Sequence, residues 1–472
     1  MFYVLKSVTL LTRHLLENVV THMERIVFQK LVEWKDSATR KPLVLNGARQ
    51  VGKTWLLEQL GKQYFKKVAY LVCRKNQTLK DVFSLDFDTD RILRALRALS
   101  GVDITPGDTL IVLDEVQDIP EAIESLKYFC EEAPEYHIAV AGSLLGISLH
   151  RDISYPVGKI DEINVYPLNF DEFLLAKGET EAYKLLKDKD FHTTNLIHEK
   201  YTDLLRQYYY VGGMPEAVKV YIETDGLQAV RNIQKAILNG YERDFSKHAP
   251  KDQIARIRLV WQTLPSQLFK ENKKFIYGSI KHGARAKDFE IAIQWLVDAG
   301  LVYKVPLCKE VKLPLKVYED PSSTPLKIST DAVKLPLKVY EDPSAFKLFT
   351  LDLGLLGAMV GTEASQVLVK NDIFSEYKGG MTEQFILEEM KSHGEENIFY
   401  HKTDDGTRLE IDFLIQRNGK LLPIEVKAEG NVRANSLSNL LKQTPELHAI
   451  RYSMKPYIEQ PQMTCYPLYA IQ

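Results

Sequence analysis

Residues 47–54 read Gly47-Ala48-Arg49-Gln50-Val51-Gly52-Lys53-Thr54, and no other stretch constrains this chain so tightly. The spacing is that of a loop that cradles nucleotide phosphates. Gly47 and Gly52 let the backbone turn its N–H groups toward the β- and γ-phosphates, Lys53 supplies a point charge, and Thr54 offers a hydroxyl to Mg²⁺. The flanks agree with this reading. Pro42-Leu43-Val44-Leu45-Asn46 is a short apolar strand, and Trp55-Leu56-Leu57-Glu58-Gln59-Leu60 opens a helix whose N-terminus attracts anions. A loop of this kind between a strand and a helix implies an α/β fold and points to ATP or a similar nucleotide as ligand.

A second signature follows at Leu110-Ile111-Val112-Leu113-Asp114-Glu115. Four apolar residues ending in two acids read as a buried parallel strand with carboxylates at its C-terminal edge, where open α/β sheets bind ligands. There Asp114 is placed to hold Mg²⁺, mostly through its water shell, and Glu115 to polarise the water that attacks the γ-phosphate. Alone, such a string is an ordinary strand end; with residues 47–54 upstream it becomes the partner of a phosphate loop. Ile138-Ala139-Val140-Ala141 reads as a further strand running into Gly142-Ser143, and Ser143 stands where such ATPases place a polar sensor of the γ-phosphate. Val68-Ala69-Tyr70-Leu71-Val72 reads as another strand, and residues 89–99 and 120–131 read as helices. Alternating strands and helices predict a parallel sheet covered on both faces.

At 472 residues, two or three domains are expected. A formal net charge of -2 gives no overall nucleic-acid signature, so any basic surface has to be local. Cys73, Cys130, Cys308 and Cys465 lie far apart and show no metal-ligand spacing, which fits reduced thiols and a cytoplasmic setting. No uninterrupted apolar run reaches the roughly eighteen residues of a membrane span, so no membrane association is expected. Residues 1–22 make a poor secretory signal, broken by Lys6, Arg13 and Glu17, and the expected translation start is Met23.

The chain resembles the bacterial and archaeal AAA-type ATPases that carry a C-terminal domain of unknown function. The matching strings are residues 45–54, Leu113-Asp114-Glu115-Val116-Gln117, Ala141-Gly142-Ser143, Tyr166-Pro167-Leu168-Asn169-Phe170-Asp171-Glu172-Phe173 and Gly212-Gly213-Met214-Pro215-Glu216. The resemblance implies an ATP- and Mg²⁺-binding domain and, since such ATPases often complete their sites between subunits, a homo-oligomer. Where many members have Gly-Arg, this chain has Gly158-Lys159, so the arginine finger is unassigned. Arg151 is a candidate for it, and a solvated loop arginine is the ordinary alternative.

Residues 183–250 read as helix-rich. Tyr208, Tyr209 and Tyr210 could stack bases, but core packing with the hydroxyls at the rim is the simpler reading. From Lys273 to Val305 a short segment, a helix over 286–299 and a strand over 301–305 look like a winged helix, with Ile291, Trp295 and Leu296 on the apolar face. Lys281, His282, Arg285 and Lys287 cluster at the recognition end, as DNA phosphate contacts require; packing as a structural or protein-binding module is the equal alternative. The twelve residues from Val311 to Ser322 then recur unchanged from Val333 to Ser344. Leu313, Leu315 and Val317 alternate with polar residues in the first copy, and the prolines place such a strand at a sheet edge. A tandem duplication is expected, with residues 312–333 tolerated as insertion.

Near the C-terminus, residues 408–415 and 421–427 read as two strands joined at Asn418-Gly419, a strong hairpin turn. Asp412 lies near the start of one strand; Glu425 and Lys427, two apart, share a face of the other. Glu383 sits upstream on a helix with Phe385, Ile386 and Met390 as core residues. This set resembles the nuclease pattern PD-(D/E)xK. The resemblance implies Asp412 and Glu425 as metal ligands, Lys427 as the positive charge beside the scissile phosphate and Glu383 as the helix acid. No proline precedes Asp412, and such folds also persist as binding modules.

The expected domains are thus an extension over 1–22, an AAA-type P-loop domain over 23–180, a helical region over 181–250, a winged-helix-like region over 251–350, and a nuclease-like α/β domain over 351–472. The expected function is Mg²⁺-dependent ATP hydrolysis that acts on or regulates nucleic acid. The alternative is an ATP-controlled switch that binds DNA or a protein without cutting. Because doubling a loop's length costs only about 0.6 kcal/mol, deletion of residues 312–333 is expected to leave ATPase rate and melting temperature nearly unchanged; a large loss of either would show that both copies are needed.

Overall fold

The computed structural model describes residues 24–143, 155–270, 273–309, 341–364, 367, 375–403, 409–428 and 435–471. The expected extension, Arg151, Arg408 and the duplicated segment as far as residue 340 lie outside them. The chain divides into two compact units: Met1–Lys187 with Gly213–Val230, and Asp188–Gly212 with Arg231–Gln472.

The first unit is built on a five-stranded sheet in the order β2-β3-β4-β1-β5, with every pairing parallel. The strands are β1 (Leu43–Asn46), β2 (Lys67–Val72), β3 (Thr109–Asp114), β4 (His137–Ala141) and β5 (Asp161–Asn164). Every residue of β3 and β4 is buried, as central parallel strands covered on both faces must be. On one face Ile111, Leu113, Ile138 and Val140 pack with Leu79 and Phe83 of helix Gln77–Leu85, with Ile92 and Leu96 of helix Thr89–Ser100, and with Leu126 and Phe129 of helix Pro120–Glu132. Each such side chain contributes about 1.5–3 kcal/mol on full burial. Helix Lys53–Tyr64 buries Leu56, Leu57, Leu60 and Gly61, the spacing of a single helical face. Asn76 and Asp88 cap the two helices after β2 by accepting hydrogen bonds from Leu79 N and Arg91 N.

The second unit carries an eight-stranded mixed sheet, β12-β13-β11-β10-β9-β8-β6-β7. Its strands are β6 (Val302–Cys308), β7 (Glu341–Thr350), β8 (Phe399–Lys402), β9 (Glu410–Arg417), β10 (Lys420–Lys427), β11 (Ala449–Ser453), β12 (Ile458–Gln460) and β13 (Met463–Pro467). β9 and β10 form the hairpin read from Asn418-Gly419, and both turn residues have positive φ, 51° and 72°. β7, which begins within the second copy of the repeat, is an end strand.

Two details depart from the sequence reading. Helix Ala286–Asp298 is followed by the antiparallel pair β6–β7, but β6 also pairs in parallel with β8, so one sheet runs across the boundary drawn at residue 350. Ile291 is not on the apolar face and is 60% exposed. The buried set is Phe289, Ala292, Ile293, Trp295 and Leu296, and at 100° per residue position 291 falls on the other side. The tyrosine run belongs to the core: Tyr208 and Tyr210 are buried, and Tyr208 and Tyr209 both pack on Phe385.

Candidate functional site

Strand register decides what meets at the sheet's C-terminal edge. Leu45 and Asp114 both lie opposite Ala141, and Val72 lies opposite Asp114, so the loops after β1, β2, β3 and β4 leave at one level. The phosphate loop leaves β1 there. Gly47 has φ +143°, and a Cβ on it would stand 2.3 Å from the carbonyl oxygen of Val165; Gly52 has φ +99° and caps the N-terminus of helix Lys53–Tyr64. Neither position accepts another residue without strain.

Lys53 is buried, and its ammonium donates to the carbonyl oxygens of Gly47 and Ala48, each at 2.7 Å. Burial lowers its pKa to about 8, with Glu115 and Asp114 pulling the other way. Such a charge favours an anion. Thr54 Oγ1 donates to Asp114 Oδ2 at 2.9 Å, and Asp114 Oδ1 accepts from Glu115 N at 2.9 Å. Tyr70 OH also donates to Asp114 Oδ2, and burial, then the bond to Asp114, raises its pKa. Hydroxyl, carboxylate, glycine cradle and ammonium together fit a nucleotide with Mg²⁺ shared by Thr54 and Asp114.

Glu115 follows β3 in the left-handed region at φ 53°. Its Oε2 accepts from Ser143 Oγ at 3.0 Å and from Gln117 Nε2 at 2.6 Å. Burial alone would raise its pKa; the bonds from Gln117 and Ser143, with the charges of Arg74 and Arg49, outweigh it and hold the carboxyl below its usual value. Gln50 and Lys75 are likewise left-handed. Three of the six positive-φ non-glycine residues among the described ones therefore sit at this edge, where strain of order 1–3 kcal/mol each persists only if surrounding contacts impose it.

Sequence reasoning missed four participants. Tyr70 reads only as part of an apolar strand, Gln117 only as the last residue of a matching string, and Arg74 enters no motif. Arg25 carries no local signal at all. Its buried guanidinium donates to Val51 O at 2.9 Å, to Tyr166 O at 2.7 Å and to Glu172 Oε1 at 3.1 Å, supporting the phosphate loop from behind. Lys159, where an arginine was expected, pairs with Glu131 at 2.8 Å.

The C-terminal acids meet cations. Glu425 is buried, and its carboxylate pairs with Arg451 at 3.0 Å and with Lys427 at 3.1 Å. Asp412 Oδ2 accepts from Val426 N at 2.8 Å. Glu383 is paired with Lys273 and, at 3.4 Å, with Lys347. Lys347 is fully buried on β7; its ammonium also lies 3.6 Å from Glu410 and over the ring of Tyr400. Burial lowers the pKa of Lys347, but Glu383, Asp412 and Glu410 outweigh that and raise it. Burial would raise Glu383, yet Lys273 and Lys347 depress it; Asp412 is raised by burial and by Glu383. The structure thus places Asp412 and Glu383 in one cluster centred on lysines and gives Glu425 its own cations. Protein cations are paired with Glu383 and Glu425 and compete with a divalent ion for those two carboxylates. Among the described residues, no three His, Cys, Asp or Glu side chains group to hold a metal.

Residues 39–174 match a family model described as an AAA domain. Residues 202–320 and 378–469 match two models described as domains of unknown function (DUF8612 and DUF4143). No curated protein matches. Among solved structures, the Orc1 protein of Aeropyrum pernix in complex with DNA is 13% identical, covering 71% of this chain and 91% of that one, with a TM-score of 0.27. Cdc6p from Pyrobaculum aerophilum is 11% identical, covering 61% and 91%, with a TM-score of 0.26. A protein of Vibrio cholerae is 14% identical, covering 89% and 90%, with a TM-score of 0.15. The AAA match falls on residues 39–174, which hold the phosphate loop and the five-stranded parallel sheet. No helix among the described residues is long and apolar enough to cross a membrane.

Because Lys347 neutralises buried acids, Lys347→Met is expected to lower the unfolding free energy by about 3–5 kcal/mol. Urea denaturation measures this; a loss below about 1 kcal/mol would show that the ammonium does not hold the cluster together.

Proposed function

We propose that the chain hydrolyses ATP with Mg²⁺ at the edge of the five-stranded sheet, and that its second unit binds a nucleic acid or protein partner without cutting it. The observation that carries the first half is the convergence of Lys53, Thr54, Asp114, Glu115 and Ser143 on one sheet edge. Lys53 exchanges its two carbonyl acceptors for phosphate oxygens, which restores a full charge that burial alone opposes. Backbone N–H groups of Gly47, Ala48, Arg49, Gln50, Val51 and Gly52 complete the cradle. Thr54 and Asp114 hold the ion, which when bound neutralises charge on the phosphate oxygens. Glu115, kept ionised by its donors, accepts a proton from the attacking water, and Ser143 reports on the terminal phosphate.

The binding role of the second unit rests on two observations. Of its nuclease-like acids, Glu383 is paired with Lys273 and Lys347, and Glu425 with Lys427 and Arg451. Lys281, His282, Arg285 and Lys287 are exposed just before and within the start of helix Ala286–Asp298. That helix, with helix Ile254–Leu268 before it and β6–β7 after it, has the element order of a winged helix. Exposed cations at such an end suit phosphate contacts.

Lys53→Ala is expected to lose ATP binding by fluorescence titration, and Glu115→Gln to bind ATP while turnover falls about 10²–10⁴-fold. Normal turnover by the Glu115 variant would overturn its role as base. With Mg²⁺ or Mn²⁺, DNA is expected to remain intact in gel assays; cleavage by the wild type that Asp412→Ala and Lys427→Ala both abolish would overturn the non-cutting assignment.

A further inference from the structure

Gln117 is hydrogen-bonded to the Glu115 carboxylate, and the roles above do not use it. It lies in the single 3₁₀ turn Val116–Asp118 that follows β3, two residues beyond the carboxylate it touches. Its amide orientation follows from chemistry. An ionised carboxylate only accepts, so the atom 2.6 Å from Glu115 Oε2 is the amide nitrogen. The amide oxygen is thereby turned into the protein, where it is buried and has no hydrogen-bond partner among the described residues. The contact that accounts for a glutamine here is the one its nitrogen makes to Glu115.

The arrangement has a directional consequence. Gln117 Nε2 and Ser143 Oγ both donate to Oε2, and neither reaches Oε1. One oxygen of the base is pinned from two sides and the other is left as the acceptor. The left-handed backbone at Glu115 sets the same side chain on a strained, single-residue step off the strand. Two fixed donors and a fixed backbone leave the carboxylate little freedom to turn.

We infer that Gln117 is a positioning residue of the hydrolytic site: its amide holds Oε2 of Glu115 so that Oε1 faces the attacking water. The inference rests on the ATPase reading above. Lost positioning of a base costs roughly 10- to 100-fold in rate while leaving contacts to the phosphates in place.

The test compares wild type, Gln117→Leu and Gln117→Glu for kcat across pH, ATP Kd by fluorescence titration, and Tm. For Gln117→Leu, kcat is expected to fall roughly 10- to 100-fold, with Kd within about twofold and Tm equal or higher. For Gln117→Glu the loss is larger at neutral pH, where two carboxylates repel, and partly recovers as pH falls, because a protonated carboxyl donates and an ionised one does not. Unchanged kcat in both variants overturns the inference. So does a parallel loss of kcat, ATP affinity and Tm, which marks a structural role. Absence of hydrolysis by the wild type overturns the ATPase reading itself, and this inference with it, and is seen before any variant is measured.

Discussion

The candidate site depends first on a hydrogen-bonded register. β3 and β1 both pair with β4 so that Asp114 and Leu45 stand opposite Ala141. That alignment brings residues about seventy positions apart to one edge and lets Thr54 Oγ1 reach the Asp114 carboxylate at 2.9 Å. Shifting one strand by a single residue would turn Asp114 to the other face, because side chains alternate along a strand. Ile111 and Leu113 of the same strand fill a core lined by residues from three helices.

Around this edge the chain accepts local cost. Gln50, Lys75 and Glu115 occupy the left-handed region, and Lys53 keeps an ammonium out of water. Contacts from elsewhere offset these costs: Arg25 ties Val51 to Tyr166 and Glu172, and Tyr70 fixes Asp114. Such a site is prepared for an anion before one arrives, because its donors are already oriented and its cation already desolvated.

The second unit uses charge in another way. Glu383, Asp412 and Glu425 occupy the places that their sequence pattern suggests, on a helix and two paired strands. The partners of Glu383 and Glu425, however, are Lys273, Lys347 and Arg451, drawn from before the first strand of the sheet, from its end strand and from β11. Glu383 and Glu425 are held by the protein's own ion pairs.

Local pattern was enough for the elements themselves. The glycine spacing at Gly47 and Gly52, the apolar run before Asp114 and the Asn418-Gly419 turn each encode a backbone conformation in a few adjacent residues, and the structure contains the loop, the strand and the hairpin. Ile291 failed because three apolar residues do not fix a helix's phase when a fuller set, Phe289, Ala292, Ile293 and Leu296, defines another face. What only the tertiary structure decided was partnership. Arg25 behind the phosphate loop, Tyr70 on Asp114 and Lys347 among the carboxylates carry no local signal, because a long side chain's partner is set by which strands and helices fold against it. Sequence by itself determined a phosphate-binding loop and the acids that accompany it; tertiary packing determined which charges remain open to a ligand and which the protein has already matched, since neutralisation acts through space and over distances that sequence spacing does not record.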